Sequence, residues 1–264
     1  MKKEILSKLL SKAVQLWLRS QVSHLNTLEL TIHGTNQQLL SGEIPQVDLR
    51  ATQAVYQDLH LSEVYLRGRN IKINLQQIFQ GKPIKLLEPI ALTGVLTLTA
   101  PDLQASLAAP LLASALSDLL QTLLASRDNL KIPRQIAWQQ ADISEGSLKL
   151  RGSYSVSSTS DRPAANHNSL DSQNLLDSQN SLSSSSNMKS EMTLEMKNVI
   201  LKTGLTLAQP HQLCLTPLEI DFSTGQGAIA LESFVLDLGQ DVAIEELLVK
   251  EGQLICQGSL TVQP

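Results

Sequence analysis

The side chains best suited to metal binding or proton transfer are five histidines and two cysteines. The histidines stand at positions 24, 33, 60, 167 and 211, and the cysteines are Cys214 and Cys256. Zinc and redox sites show short motifs such as H-E-x-x-H and C-x-x-C, because one local segment must present two ligands together. Neither motif occurs, so the sequence predicts no metal site and no dithiol redox centre.

Motifs for nucleophilic catalysis and for nucleotide binding are also missing from the sequence. We find no G-x-S-x-G, no G-x-G-x-x-G and no phosphate-binding loop. The run GKP at 81–83 lacks the upstream glycine and the downstream Ser or Thr that such a loop needs. The carboxylates Asp142, Glu145, Glu245 and Glu246 fall at turns or on exposed faces. The sequence therefore predicts a protein that is not an enzyme, with no catalytic residues and no cofactor.

Basic residues are concentrated in the first 25 positions. The whole chain has a formal net charge of −4, but residues 1–25 contain five basic residues and one glutamate. Residues 4–19 place apolar side chains on about half of a helical wheel, with basic residues opposite. A basic amphipathic helix with a tryptophan is suited to a membrane interface. We therefore predict contacts with an anionic membrane surface through Lys2, Lys3, Lys8, Lys12, Trp17 and Arg19.

A second hypothesis for this helix is that its apolar face docks on the core of the protein, and both hypotheses stay open at this point. The helix is too short and too charged to span a bilayer. Lys8 and Lys12 interrupt the apolar run that a signal peptide needs, and no A-x-A cleavage site follows. Cys214 and Cys256 are expected to be small buried side chains in a reducing compartment. These features predict a cytoplasmic protein that is peripheral to a membrane.

Five further basic residues lie close together in the sequence: Arg67, Arg69, Lys72, Lys82 and Lys85. Such a group is typical either of a solvated hairpin edge or of a surface that contacts lipid headgroups. A nucleic-acid interface is not predicted, because it would combine a basic surface with stacking aromatic rings. Here the net charge is negative and only 3% of the residues are aromatic.

Alternation of apolar and polar residues predicts antiparallel strands over most of the chain. Two stretches have the same residue at six of their twelve positions, EGSLKLRGSYSV at 145–156 and EGQLICQGSLTV at 251–262. Each begins with a Glu-Gly turn signal and follows another alternating run. Each is therefore predicted to be the second half of a hairpin, and the two hairpins are predicted to be a structural repeat.

One leucine-rich stretch, 101–124, has the spacing of a helix. Thr99 is its predicted N-cap, and Pro110 is predicted to kink it or to split it into two pieces. Residues 155–190 hold 13 serines and are predicted to be a disordered insertion in a hairpin loop. The order helix, strands, helix, strands predicts a single α+β domain over residues 1–264. Its two helices are expected to pack on a long, curved antiparallel sheet built from repeated hairpins.

Two stretches of the sequence resemble a known family: LLSGEIPQVDLRATQAVYQDLHLSEVYLRGRNIKINL at 39–75 and LTAPDLQASLAAPLLASAL at 98–116. The shared pattern is an alternating strand with a Tyr-x-x-Leu segment, and then a strand ending in Thr or Ser before a leucine-rich helix. Asp102 and Leu103 stand at the opening of that helix. The chain resembles the LmeA-like phospholipid-binding family, and more narrowly its cyanobacterial branch, over most of 10–150 and more loosely over 190–264.

The resemblance implies phospholipid binding in an envelope context, in a groove similar to that of tubular lipid-binding domains. Exported members of the family carry a signal or lipoprotein sequence, and the serine-rich stretch is not part of the family pattern, so the present sequence departs from it twice. Because a strand that leads into a helix tends to pack beside it, six leucines are predicted to converge on the lipid: Leu96, Leu98, Leu107, Leu111, Leu112 and Leu116.

A closed core would have the same leucine pattern as a groove. In that alternative the protein is a structural or interaction scaffold, its groove is filled by its own side chains, and its N-terminal helix docks a partner protein.

Overall fold

The structure is a computed structural model, and it describes residues 5–75, 85–124, 136–158, 193–223 and 227–264. The described helices are α1 (Ile5–Gln21), α2 (Asn36–Leu40), α3 (Ala100–Ser106) and α4 (Pro110–Leu124). The first five described strands are β1 (Thr27–His33), β2 (Glu43–Tyr56), β3 (Leu59–Lys72), β4 (Ile90–Thr99) and β5 (Ala137–Ser144). The next seven are β6 (Ser147–Ser158), β7 (Thr193–Gln209), β8 (Gln212–Asp221), β9 (Ile229–Leu231), β10 (Phe234–Asp237), β11 (Val242–Lys250) and β12 (Gln253–Val262).

The strands form two antiparallel sheets. Sheet 1 has the order β1-β2-β3-β4-β12-β11, and sheet 2 has the order β10-β8-β7-β6-β5 with β9 paired to β8. The predicted α+β class with antiparallel hairpins and an N-terminal helix is confirmed. The strands are divided between two sheets, and the last hairpin of the chain, β11-β12, returns to complete sheet 1 beside β4.

The repeated sequence is a repeated structure. Each copy is the second strand of a hairpin, and the Glu-Gly turn begins it as predicted. The turn glycines Gly146 and Gly252 have φ angles of 67° and 72°, which a residue with a side chain adopts only under strain. Each hairpin also has a β-bulge in its first strand, between Trp138 and Gln140 in β5 and between Ile244 and Glu246 in β11. The two bulges occupy equivalent positions of the repeat.

The two turns hold the sheets together through a reciprocal pair of hydrogen bonds. The backbone N–H of Gly146 donates to the carbonyl of Val249 at 3.0 Å, and that of Gly252 donates to the carbonyl of Ile143 at 2.9 Å. Val249 and Ile143 are themselves equivalent positions in the two copies. Each copy therefore supplies the same donor and the same acceptor to the junction between sheet 1 and sheet 2.

A second backbone contact covers the outer edge of β11. The Ile244 N–H donates to the carbonyl of Pro210 at 2.6 Å, and His211 Nδ1 donates to the carbonyl of Val242. Pro210 and His211 form the turn between β7 and β8 of sheet 2. Because an edge strand exposes unpaired backbone groups, these contacts protect β11 while they add to the junction.

Sheet 2 has a closed apolar core under α4. Leu120, Leu123 and Leu124 of α4 are buried in one cluster with Leu150 and Leu201 of the sheet. Other members of this cluster are Leu107, Ile136, Trp138, Ala141, Tyr154, Val199, Leu218, Ile220 and Phe222. Tyr154 donates a hydrogen bond from its hydroxyl to the carbonyl of Phe222 at 3.2 Å. One face of sheet 2 is thus covered by helix along the described strands.

Sheet 1 has a smaller core that occupies only part of its apolar face. Leu10 of α1 and Leu39 of α2 are buried against Leu30, Ile44 and Ile71. Val14 and Leu18 of α1 pack against the same cluster, so one face of α1 docks on the protein. This core lies at one end of the strands, where it includes Ile71 of β3, Ile90 of β4 and Val262 of β12, and the opposite end of these three strands has no residue in the cluster.

Pro110 splits the predicted leucine-rich helix in two, as its lack of an N–H requires. Helices α3 and α4 meet at a bend of 87°. Thr99 is the N-cap of α3, as predicted, and its side chain accepts a hydrogen bond from the Asp102 N–H. Of the predicted serine-rich segment 155–190, residues 155–158 belong to β6. The remainder lies outside the described residues.

The polar face of sheet 1 is organised around the carboxylate of Asp48. Arg67 Nε donates to Asp48 Oδ1 at 2.6 Å, and the Tyr65 hydroxyl donates to the same oxygen at 3.1 Å. Gln46 Nε2 donates to Oδ2 at 2.7 Å, and His33 Nε2 lies 3.0 Å from it. The Arg67 hydrogen bond above all, with those of Gln46, Tyr65 and His33, holds the pKa of Asp48 well below its usual value, although burial opposes the shift.

The central glycines of sheet 1 allow the backbones of neighbouring strands to approach closely. A Cβ atom at Gly258 would overlap the carbonyl oxygen of Ala243. We predict that Gly258→Ala lowers the free energy of unfolding by about 1–3 kcal/mol, because β11 must shift to admit the methyl group. Ser259→Ala is the matched control in the same strand, and a change within about 0.5 kcal/mol is expected for it. Urea denaturation measures both, and equal effects would contradict the prediction.

The Asp48 network predicts a pH dependence of stability. Because the pKa of Asp48 is lower in the folded protein than in the unfolded chain, its contribution is complete above the unfolded value of about 3.9 and is lost as the pH falls below it. The stability difference between the parent and Asp48→Asn should therefore be constant from pH 7 to pH 5 and shrink below pH 4. Urea denaturation at each pH measures this difference, and a constant difference down to pH 3 would refute the assignment.

Candidate functional site

At one end of strands β3, β4, β12 and β11, seven apolar side chains on the same face of sheet 1 are partly exposed and belong to neither core cluster. They lie on four adjacent strands and are Val64, Leu66, Leu96, Leu98, Leu247, Leu254 and Cys256. We call this set the apolar strip. Val64, Leu96, Cys256 and Leu247 follow one another directly across the strands. Residues that are directly opposite in antiparallel strands share a face of the sheet, so the strip is a continuous surface.

Two glycines interrupt the side chains within the strip. Gly94 and Gly258 are directly opposite each other in β4 and β12, beside Leu66. A Cβ atom at Gly94 would overlap the carbonyl oxygen of Tyr65. The close approach of the backbone therefore requires glycine at Gly94 and Gly258. Because no side chain projects from these two positions, the surface of the strip is lowest at this pair.

A network of hydroxyls and one carboxylate fixes α3 at the end of the strip. Asp102 Oδ2 accepts hydrogen bonds from Ser62 Oγ at 2.5 Å and from Thr99 Oγ1 at 2.9 Å. The His60 N–H donates to Ser106 Oγ at 2.7 Å. Asp102 also lies in the first turn of α3, where a carboxylate stabilises the helix. These contacts explain why an acidic residue opens this helix, and they determine where α3 leaves β4.

The six leucines that the sequence predicted as lipid contacts do not share one environment. Leu96 and Leu98 are in the apolar strip. Leu107 is only 2% exposed inside the sheet 2 core, and Leu112 and Leu116 pack against that core. Leu111 is 56% exposed. The structure thus brings Leu107, Leu112 and Leu116 into one cluster and places Leu96 and Leu98 outside it.

The predicted membrane contacts lie on or before α1. Lys2 and Lys3 are outside the described residues, as is the side chain of Lys8. Lys12 and Arg19 are exposed, and Trp17 is 38% exposed. Next to Trp17, Leu16 is 70% exposed, which is unusual for a leucine in a helix that also docks on a core. The apolar face of α1 docks on the core through Leu10, Val14 and Leu18, as the second hypothesis expected, and the membrane contact stays a prediction for the exposed side chains.

The second basic group is partly neutralised by acidic neighbours. Arg67 pairs with Asp48, and Lys72 Nζ lies 2.8 Å from Glu88 Oε1. The pKa of Lys72 is raised chiefly by its hydrogen bond to Glu88. Arg69 and Lys85 are exposed, and Lys82 lies outside the described residues. The charge balance favours the solvated hairpin edge over a strongly cationic surface.

The histidines and cysteines do not assemble into a metal site in the part of the chain that the structure describes. Cys214 and Cys256 are unpaired, and both are half-buried, so the expectation that they are buried side chains is met only in part. Partial exposure arises because neither side chain faces a closed core. Burial still raises the pKa of the Cys256 thiol.

Sequence reasoning missed five members of the strip: Val64, Leu66, Leu247, Leu254 and Cys256. The alternation of β3 and of the repeated hairpin did place their side chains on one face of each strand. What it could not supply was the pairing of β12 with β4, which joins residues about 160 positions apart and brings the two sets together.

No single helix among the described residues is long and apolar enough to cross a membrane. Helices α3 and α4 reach that length and hydropathy only as a pair, and the 87° bend separates them. Comparison with known proteins gives no significant match among curated proteins or among solved structures.

A comparison with protein families does give a match, and it extends over almost the whole chain. The matching family model is described as LmeA-like phospholipid-binding, and it covers residues 2–259. The match includes both sheets, the apolar strip and the Asp102 network that opens α3. The resemblance seen at the two sequence stretches is thereby confirmed, whereas the narrower cyanobacterial assignment stays a prediction. On this coverage, the chain belongs to the LmeA-like phospholipid-binding family.

Proposed function

We propose that the protein binds a phospholipid without catalysing a reaction on it, and that the acyl chains lie on the apolar strip of sheet 1. The observation that carries this proposal is the strip itself. Its seven side chains are apolar and continuous, yet they take part in neither core cluster. If these side chains served only to stabilise the fold, we would expect them to be buried in one of the two core clusters.

The dimensions and the chemistry of the strip suit an acyl chain. Four adjacent strands about 4.8 Å apart make the strip about 14 Å wide. Covering apolar surface contributes about 25 cal/mol per Å² to binding, before the cost of ordering the ligand is subtracted. None of the strip side chains except the Cys256 thiol exchanges protons, which favours binding over catalysis.

The second part of the proposal is that the protein sits at a membrane surface through the outer face of α1. Leu16 is exposed there beside Lys12 and Arg19, and the partly exposed Trp17 lies at the border between this face and the docked face. A tryptophan beside basic residues suits the headgroup region of an anionic leaflet. Both cysteines are unpaired, as expected in a reducing compartment, and we therefore place the protein on the cytoplasmic side.

Three leucine-to-glutamate variants separate the strip from the cores. Leu96→Glu should fold, since its side chain is partly exposed, and should lose bound phospholipid because a carboxylate now stands on the strip. Leu107→Glu should be strongly destabilised, because it buries an unpaired charge in the sheet 2 core. Leu111→Glu, at an exposed position, should change neither property. A melting curve and the phospholipid content of the purified protein by mass spectrometry measure both.

The lipid proposal would be contradicted if the parent protein, gently purified, carried no phospholipid and took up none from vesicles. It would also be contradicted if Leu96→Glu folded and retained the parent's phospholipid content. The alternative of a protein scaffold would then be preferred.

The membrane proposal predicts a charge-dependent association with vesicles. Lys12→Glu combined with Arg19→Glu should reduce sedimentation with anionic vesicles, since each basic residue near such a surface contributes about 1 kcal/mol. Trp17→Ala should reduce binding to anionic and neutral vesicles alike. Lys202→Glu with Lys250→Glu is the control, because it makes the same charge change away from α1. Equal binding of the α1 double variant and the parent would rule out this contact.

A further inference from the structure

The bulge in the first copy of the repeated hairpin borders a surface cavity of about 510 Å³ that is open to solvent, and Gln104, Gln139, Arg151 and Asn198 in its lining are exposed. The extra residue in β5 places Gln139 and Gln140 next to Arg151 of β6. Gln104 of α3 and Asn198 of β7 add two more amide groups to the lining. Among the described residues, no Asp or Glu lines this cavity. Bulges often redirect side chains into functional positions, and here the redirected groups are hydrogen-bond donors around one cation.

The guanidinium of Arg151 is largely unused by the protein. Its one hydrogen bond among the described residues runs from Nη1 to Gln140 Oε1 at 3.3 Å. Gln140 in turn donates to Asp142 at 3.4 Å, and Gln139 donates to Ser153 Oγ at 2.8 Å. A guanidinium has five N–H donors in a fixed fork. Four of those donors are therefore free to bind a ligand.

The second copy of the hairpin shows that its fold does not require this arginine. At the equivalent positions it has Glu245, Glu246 and Gln257, with the same bulge and the same turn. The backbone is thus compatible with a neutral amide where the first copy has Arg151. The first bulge has become cationic and the second anionic, and only the first lies beside α3 and its Gln104.

We propose that the cavity at the first bulge binds a phosphate group. The Arg151 fork matches two phosphate oxygens, and charge-assisted pairs of this kind are the strongest hydrogen bonds in proteins. The amides of Gln104 and Asn198 supply neutral donors for the remaining oxygens. A phospholipid headgroup and a free phosphate compound present the same chemistry to these residues.

The position of α3 connects this cavity with the apolar strip. The helix contacts β3 and β4 of sheet 1 on one side and β5 of sheet 2 on the other. A lipid whose acyl chains lie on the strip, with its headgroup at the end of the strip next to α3, would bring its phosphate towards this cavity. For a lipid headgroup, the inference rests on the proposed function and extends it to the part of the lipid that carries the phosphate.

Calorimetric titration of the full-length protein with glycerophosphoethanolamine, and separately with inorganic phosphate, tests the site. Arg151→Gln replaces the arginine by the residue of the second copy and should weaken the binding of either probe by about tenfold or more. Arg151→Lys keeps the charge without the fork and should give an intermediate affinity. Melting curves confirm that both variants fold.

Lys149→Gln is the matched control, because it removes one positive charge from the same face of β6 outside the cavity. It should change the affinity by less than about twofold, since exposed charges beyond contact distance are screened by salt. If Lys149→Gln weakened binding as much as Arg151→Gln, or if the parent bound neither probe, the proposal would be overturned.

The affinities for the two probes and the phospholipid content of the Arg151→Gln variant together show whether the phosphate comes from a lipid headgroup or from a free compound. Preference for the glycerophosphodiester, with less phospholipid retained by Arg151→Gln, identifies a headgroup site. Preference for inorganic phosphate, with unchanged phospholipid, identifies a site for a free phosphate compound. Failure of the lipid proposal in the Leu96→Glu experiment leaves Arg151-dependent binding of inorganic phosphate intact, so the two proposals fail separately.

Discussion

The architecture depends on the reciprocal hydrogen bonds between the two copies of one hairpin. Gly146 and Gly252 each donate to a residue that precedes the other turn, and this exchange connects two sheets that share no paired strand. The contact is possible because both turns place glycine at positive φ, where the backbone N–H is exposed at the tip. The turn of β7 and β8 adds its contacts to β11 at the same junction, so the edge strands that meet there are covered by backbone partners.

The two sheets use their apolar faces differently. Sheet 2 is closed by α4 into a core in which Leu150, Leu201 and Leu218 are each at most 2% exposed. Sheet 1 is covered by α1 and α2 at one end of its strands, and the opposite end of β3, β4 and β12, together with β11, presents the apolar strip. The cap network of Asp102, Ser62 and Thr99 holds α3 between these two regions. Buried apolar side chains are thus concentrated in the core of sheet 2 and at the covered end of sheet 1, and the strip belongs to neither.

The family membership is consistent with this division of the molecule. The sequence pattern that first indicated it, an acidic residue and a leucine at the opening of a helix, has a structural explanation in the Asp102 network. Asp102 secures the first turn of α3, and Leu103 packs against the sheet 2 core. These two residues determine where α3 leaves β4 at the end of the strip.

The sequence by itself determined the local structure, because turns, caps and alternation depend on neighbouring residues. Gly146 and Gly252 marked the hairpin turns, Thr99 and Pro110 marked the start and the break of the leucine-rich helices, and the repeat of 145–156 at 251–262 marked a repeated hairpin. Only the tertiary structure decided which apolar faces are closed. Leu96 and Leu107 look alike in sequence, yet one lies on the strip and the other in a core. The difference arises because β12 pairs with β4 across most of the chain, and because α4 covers sheet 2 instead of sheet 1. Long-range pairing of this kind leaves no periodic signal in either segment alone.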